Sequence, residues 1–247
     1  MYPKTLLSDM LKKINPSDFS SSFRNTSPYD VLSNLDLPLY ITTNYDRFME
    51  SALSKNSRKK PESDFCKWSD NLKKFLKTAN ITSVFDDAQY KFTEERPLVY
   101  HIHGDIETPE SMILTERDYF EFVINMNKGD DKDILPASIR TELATSSLIF
   151  IGYSLEDINF RAIFQGFLSF LSSLDRKYRK LSIAIQIVPN NYNKKDIKMQ
   201  KYLEQYTRNM FDVKVFWGNT SDFMTELEKR WKDFKKNNDM NICLSLK

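Results

Sequence analysis

Both histidines of this 247-residue sequence fall in one short segment, His101-Ile102-His103-Gly104-Asp105, at the end of an apolar run. Imidazole titrates near neutrality, so such a pair can bind metal, move a proton or hold a hydroxyl. Residues two apart on a strand face the same side, which invites a His-x-His metal reading. No further His or Cys stands at ligand spacing, and Asp105 alone would make a thin third ligand. His101 fits a buried, hydrogen-bonded structural role. His103 fits a working imidazole, beside a glycine that permits close approach.

Two other strand ends carry polar groups. Ile41-Thr42-Thr43-Asn44-Tyr45-Asp46 places a carboxamide and a carboxylate where a helix begins. Asn44 or Asp46 could equally cap that helix by accepting its first amides. Ile151-Gly152-Tyr153-Ser154-Leu155-Glu156-Asp157-Ile158-Asn159 offers a glycine, a hydroxyl and a helix start, which suit a phosphate cradle. A capped strand-to-helix turn is the plainer alternative, with Asp157 favourable to the helix dipole.

Ligands of parallel open sheets bind beyond the carboxyl ends of the strands, so the surrounding elements decide whether these segments meet. Continuous apolar runs predict strands at Leu37–Thr42, Leu98–Ile102, Leu148–Gly152, Leu181–Val188 and Val213–Trp217. Helical patterns lie between or after them, at Asp46–Leu53, Glu116–Asn127, Pro136–Thr145, Glu156–Leu174, Lys195–Met210 and Ser221–Lys236. The alternation predicts an α/β fold, a Rossmann-like parallel sheet with helices on both faces. Residues 54–97 read as a small helical or irregular insertion, because Phe65, Trp68, Phe75, Phe85 and Phe92 need something to pack against.

Composition narrows the class. With 36 basic and 34 acidic residues the net charge is +2, so no global field draws in nucleic acid. Cys66 and Cys243 are too few and too separated for a disulfide framework or a zinc knuckle. Met1-Tyr2-Pro3-Lys4 lacks an apolar signal core, and the apolar stretch at 155–174 carries Glu156, Asp157, Arg161 and Gln165. A soluble, cytoplasmic protein that uses no membrane is the expectation.

Taken in order, the three segments resemble the sirtuin superfamily, and within it the bacterial sirtuin-like NAD hydrolases of antiphage defence. Thr42-Thr43-Asn44-Tyr45-Asp46 resembles the family's Thr-x-Asn-x-Asp segment, and His103-Gly104 its His-Gly pair. Gly152-Tyr153-Ser154, followed by Leu-x-Asp-x-Asn through Asp157 and Asn159, is similar to its Gly-x-Ser nucleotide loop. The similarity runs from about Leu35 to Trp231. It implies NAD as substrate and cleavage of the nicotinamide–ribose bond, while two histidines and two separated cysteines predict no metal. By that resemblance Asn44 positions the water or the ribose, and His103 meets the ribose hydroxyls. Thr42, Thr43, Asp46, Gly104, Gly152, Tyr153, Ser154, Asp157 and Asn159 then line the nucleotide site. It also implies a homo-oligomer or a partner defence protein.

The family's four-cysteine zinc module has no counterpart, which disfavours protein deacetylation. Its opening glycine-rich strand–turn–helix has none either: the five glycines stand at 104, 129, 152, 166 and 218. The expectation is therefore one sirtuin-like domain over 1–247, N-terminally truncated, or else a pocket that is incomplete. Two other functions stay open, an NAD- or ADP-ribose-binding or assembly module, and an ADP-ribosyltransferase or deacylase. On the metal question, elemental analysis is expected to find no stoichiometric zinc, with NAD binding unchanged by chelator. Tight one-to-one zinc would overturn this reading of the two histidines.

Overall fold

Leu98-Val99-Tyr100-His101 is buried at every position, and it forms the central strand of the sheet that carries the candidate site. The computed structural model describes residues 2–15, 27–126, 134–152, 182–186 and 194–245. In chain order it gives α1 (Tyr2–Leu11), α2 (Pro28–Ser33), β1 (Leu39–Thr42), α3 (Phe48–Ser54), β2 (Glu62–Phe65), α4 (Asp70–Thr78) and β3 (Leu98–His101). There follow α5 (Glu116–Met126), α6 (Ala137–Thr145), β4 (Ile149–Phe150), β5 (Ser182–Gln186), α7 (Lys194–Phe211), β6 (Val213–Trp217) and α8 (Thr220–Ser245). The segment read as a helix over 156–174 lies outside the described residues.

Among the described residues all strand pairs are parallel. β3 lies between β1 and β2, with Thr42 and Phe65 each in register with His101. A second ladder runs β4-β5-β6. Parallel strands flanked by helices make this a Rossmann-like α/β fold.

The alternation of β3 sorts its side chains between two cores. Leu98, Tyr100 and Ile102 join Phe65, Trp68, Leu72 and Leu76 with Phe122 and Met126 of α5. Val99 packs instead with Tyr40, Met49, Ala52 and Leu53, on the α3 side. α4 shows how sequence sets one wall: Ser69 Oγ accepts from the Leu72 amide at 3.1 Å, and Leu72 and Leu76 are buried one turn apart. α5 starts on a reciprocal cap, Thr115 Oγ1 accepting from the Asp118 amide while Asp118 accepts from the amides of Leu114 and Thr115.

α2 links the two ladders. Val31 packs with Ile185 of β5 and Met224 of α8. Trp231 Nε1 of α8 donates to the Asn34 carbonyl at 3.1 Å, and Lys235 pairs with Asp36 at 2.9 Å. α1 is tied to the segment after β3, where Ser8 Oγ donates to the Ile106 carbonyl at 2.8 Å and Lys4 Nζ to that of Met112 at 2.6 Å.

β2 was not expected, since Glu62-Ser63-Asp64-Phe65 has no apolar run. It forms because β3 offers it a ladder, and because buried Asp64 is satisfied by the Phe65 and Val84 amides and the Ser83 hydroxyl.

Gly104 and Gly152 both have positive φ, +97° and +78°. A Cβ on Gly104 would lie 2.2 Å from the Ser111 carbonyl oxygen, whereas one on Gly152 would meet nothing within 4 Å. Gly104→Ala is therefore expected to cost about 3 kcal/mol or more, from strain plus clash, and Gly152→Ala about 1–2 kcal/mol, from strain alone. Equal shifts in urea midpoint for the two variants would refute the clash.

Candidate active site

The turn from β1 into α3 is built by its own polar side chains. Thr42 Oγ1 accepts from the Asn44 amide at 3.0 Å, and Asp46 Oδ1 accepts from the Phe48 amide at 3.1 Å. Asp46 thus satisfies an early amide of the helix, as the capping alternative required. Burial raises the pKa of its carboxyl. Asn44 is exposed, and its side chain lies beside the Tyr29 hydroxyl.

This turn is bolted to the loop after β3. The Ile102 amide donates to the Thr42 carbonyl at 2.8 Å, and the Ile106 amide to the Tyr45 carbonyl at 3.0 Å. Tyr45 donates its hydroxyl to the Ile113 carbonyl. Arg47 Nε lies 3.2 and 3.1 Å from the two carboxylate oxygens of Asp105, a buried residue that also accepts from the Glu107 amide at 2.8 Å. One partner of this ion pair is fully desolvated, so it fixes geometry more firmly than an exposed pair would.

The two histidines part company here. β3 ends at His101 and the chain turns, so the same-side relation expected of His101 and His103 does not apply. His101 stays on the α3 side, with Nδ1 2.9 Å from the Asn44 carbonyl and Nε2 2.7 Å from Glu50 Oε1. His103 swings to the opposite side, where its ring meets Phe122 of α5 edge-on at 5.4 Å and Tyr119 at 6.3 Å. Burial among these rings lowers its pKa to about 4. Its Nε2 is buried and has no hydrogen-bond partner among the described residues. No group of three His, Cys, Asp or Glu among them could hold a metal ion.

Thr42, Thr43, Asn44, Asp46, His103 and Gly104 therefore lie on two interlocked turns at one end of the β1–β3 pair. Gly104 needs to be glycine because of Ser111, a packing reason sufficient in itself. Gly152 follows β4 in the second ladder, and Tyr153, Ser154, Asp157 and Asn159 lie outside the described residues. Glu50, Arg47 and Tyr29 escaped the sequence reading. Glu50 reads in the sequence as an ordinary acid in the first turn of α3. Nothing in the sequence announces Tyr29.

The model of the SIR2-like domain matches residues 38–209, most of the chain, and the chain belongs to the SIR2-like domain family. Its relatives carry a more particular name. The NAD(+) hydrolase ThsA of Bacillus cereus (strain MSX-D12) is 24% identical over 224 residues, covering 89% of this chain and 41% of the relative. The proteins of the same name from Cytobacillus dafuensis and Enterococcus faecium are 28% and 24% identical, over 60% and 62% of this chain and 25% and 27% of their own. The chain thus spans about two fifths of the first of these relatives and about a quarter of the other two.

The buried imidazole of His103 gives a stability prediction with a definite sign. Its folded pKa of about 4 lies below the ordinary 6.5, so the unfolded chain binds the extra proton first. Stability from this group is present above about pH 6.5 and is lost as pH falls toward 4, by up to about 3 kcal/mol. His103→Gln should remove this part of the acid slope, read as the wild-type-minus-variant difference in unfolding free energy. An unchanged slope would show that the ring is solvated.

Proposed function

We propose that this chain binds NAD over the two interlocked turns and cleaves the nicotinamide–ribose bond. The observation that carries the reading is His103 Nε2, a buried ring nitrogen with no partner among the described residues. Such an atom costs about 1–3 kcal/mol unless something bonds it, and a ribose hydroxyl would do so. The family membership and the relatives' name support the same substrate.

In the reaction water adds to the anomeric carbon, neutral nicotinamide leaves with the bonding pair, and a proton is released beside ADP-ribose. The bond breaks through an oxocarbenium-like state that needs little nucleophilic push, so positioning and charge stabilisation dominate. A ring with a pKa near 4 is neutral at physiological pH and is a weak base. Its fitting role is to hold a ribose hydroxyl and orient the sugar rather than to carry the proton away. The exposed Asn44 carboxamide holds the water or the ribose. Thr42, Thr43, Asp46 and Gly104 shape the turns around them, while Gly152, Tyr153, Ser154, Asp157 and Asn159 receive the rest of the nucleotide.

In the cell this activity would deplete NAD, as an antiphage effector acting in the cytoplasm and governed by self-assembly or a partner defence protein. No described helix is long and apolar enough to cross a membrane.

Incubation with NAD should release free nicotinamide. Asn44→Ala and His103→Ala should each lower that rate by about a hundredfold or more while remaining folded. Near-normal turnover in either variant would remove its role. NAD binding without nicotinamide release would leave a binding module, and turnover only with an acylated peptide would indicate a deacylase.

A further inference from the structure

His101 is fully buried, and both of its ring nitrogens face acceptors. The Asn44 carbonyl at 2.9 Å has no proton to give. Glu50 Oε1 at 2.7 Å also accepts from Ser63 Oγ at 2.9 Å, as a carboxylate oxygen does. A neutral imidazole owns one N–H and can satisfy only one of the two, leaving a lone pair against the other oxygen. Both contacts are bonds only if the pair holds one proton beyond that of a neutral ring, which on Nε2 makes an imidazolium balanced by Glu50.

We propose that His101 and Glu50 form a proton-loaded positioning pair that holds the Asn44 backbone carbonyl and thereby aims the Asn44 carboxamide. Neither residue touches substrate. Its effect on rate rests on the NAD-cleaving reading, while its proton count does not.

The surrounding charges agree. Asp46, ahead of α3, and Asp105, beyond β3, both act on the ring or share its field, and Arg47 offsets Asp105. β2 contributes the neutral Ser63 hydroxyl, while its buried Asp64 is bonded to the Ser83 hydroxyl and the Phe65 and Val84 amides. Burial, the largest influence, would lower the pKa of His101, but the hydrogen bond and charge of Glu50, the charge of Asp105 and the Asn44 carbonyl together raise it. A raised imidazole pKa gives stabilisation that is complete below the unfolded value and lost as pH rises through the folded one. Asn44 is therefore held while the pair keeps its proton and released as pH rises through the folded pKa.

Glu50→Gln separates proton loading from mere packing. An amide nitrogen at the Oε1 position can donate to a neutral His101 Nε2 and to Ser63 Oγ, while Nδ1–H still reaches Asn44. This rebuilds the clamp without the extra proton. Glu50→Ala removes the clamp and should lower kcat for nicotinamide release by roughly ten- to a hundredfold with KM little changed, a misplacement effect. Glu50→Gln should recover kcat relative to Glu50→Ala and lose the alkaline fall shown by wild type. A Glu50→Gln profile that keeps the wild-type alkaline limb would overturn the proposal.

An independent arm needs no turnover. Nitrogen-15 spectra of the intact chain at neutral pH should show both His101 ring nitrogens as N–H in wild type and only one in Glu50→Gln. Raising the pH should move the Tyr45 amide resonance, which reports the Asn44 carbonyl, in wild type alone. A singly protonated wild-type ring would sink the pair even if NAD is cleaved. A doubly protonated ring in a chain that releases no nicotinamide would leave the pair standing and remove the NAD reading instead.

Discussion

A buried imidazole set between two oxygen acceptors cannot lose either contact cheaply, because burial keeps bulk solvent from replacing it. His101 occupies that position, and much of the site is assembled around it. Its strand, β3, is buried throughout and paired on both edges, so the ring cannot shift to ease its bonds. On one side it fixes the turn that carries Asn44, and on the other the first helical turn of α3 through Glu50. The Arg47–Asp105 pair and the Ile106–Tyr45 bond then copy this fixed geometry onto the loop that carries His103. The exposed groups at the site are thus set by contacts made beneath them.

Regular structure was largely legible wherever apolar periodicity was strong. Val213–Trp217 was read with the boundaries it has, and the helix expected at 195–210 spans Lys194–Phe211. The apolar run Leu37–Thr42 overruns the strand Leu39–Thr42, because hydropathy does not record where a ladder stops. β2 was invisible for the opposite reason, being polar in sequence and a strand only by virtue of β3.

The candidate site is legible as motifs and illegible as geometry. Asn44 and the His-Gly pair could be singled out from residue type and position. The assumption that His101 and His103 share a face failed at one residue, since the strand ends where the alternation rule would have to continue. Glu50 looked like any solvated acid of an amphipathic helix. Its importance comes from a contact 51 residues away in sequence, which no local window contains.

The bonds from α1 have a consequence for how the site comes into being. Ser8 and Lys4 grip the Ile106 and Met112 carbonyls across separations of 98 and 108 residues. Closing a loop of that length costs conformational entropy that local contacts cannot repay in advance. The His103 loop therefore reaches its final shape only when distant parts of the chain have already met. A partly folded chain would display the motif residues without their arrangement, so recognition chemistry would arrive together with the completed fold rather than ahead of it.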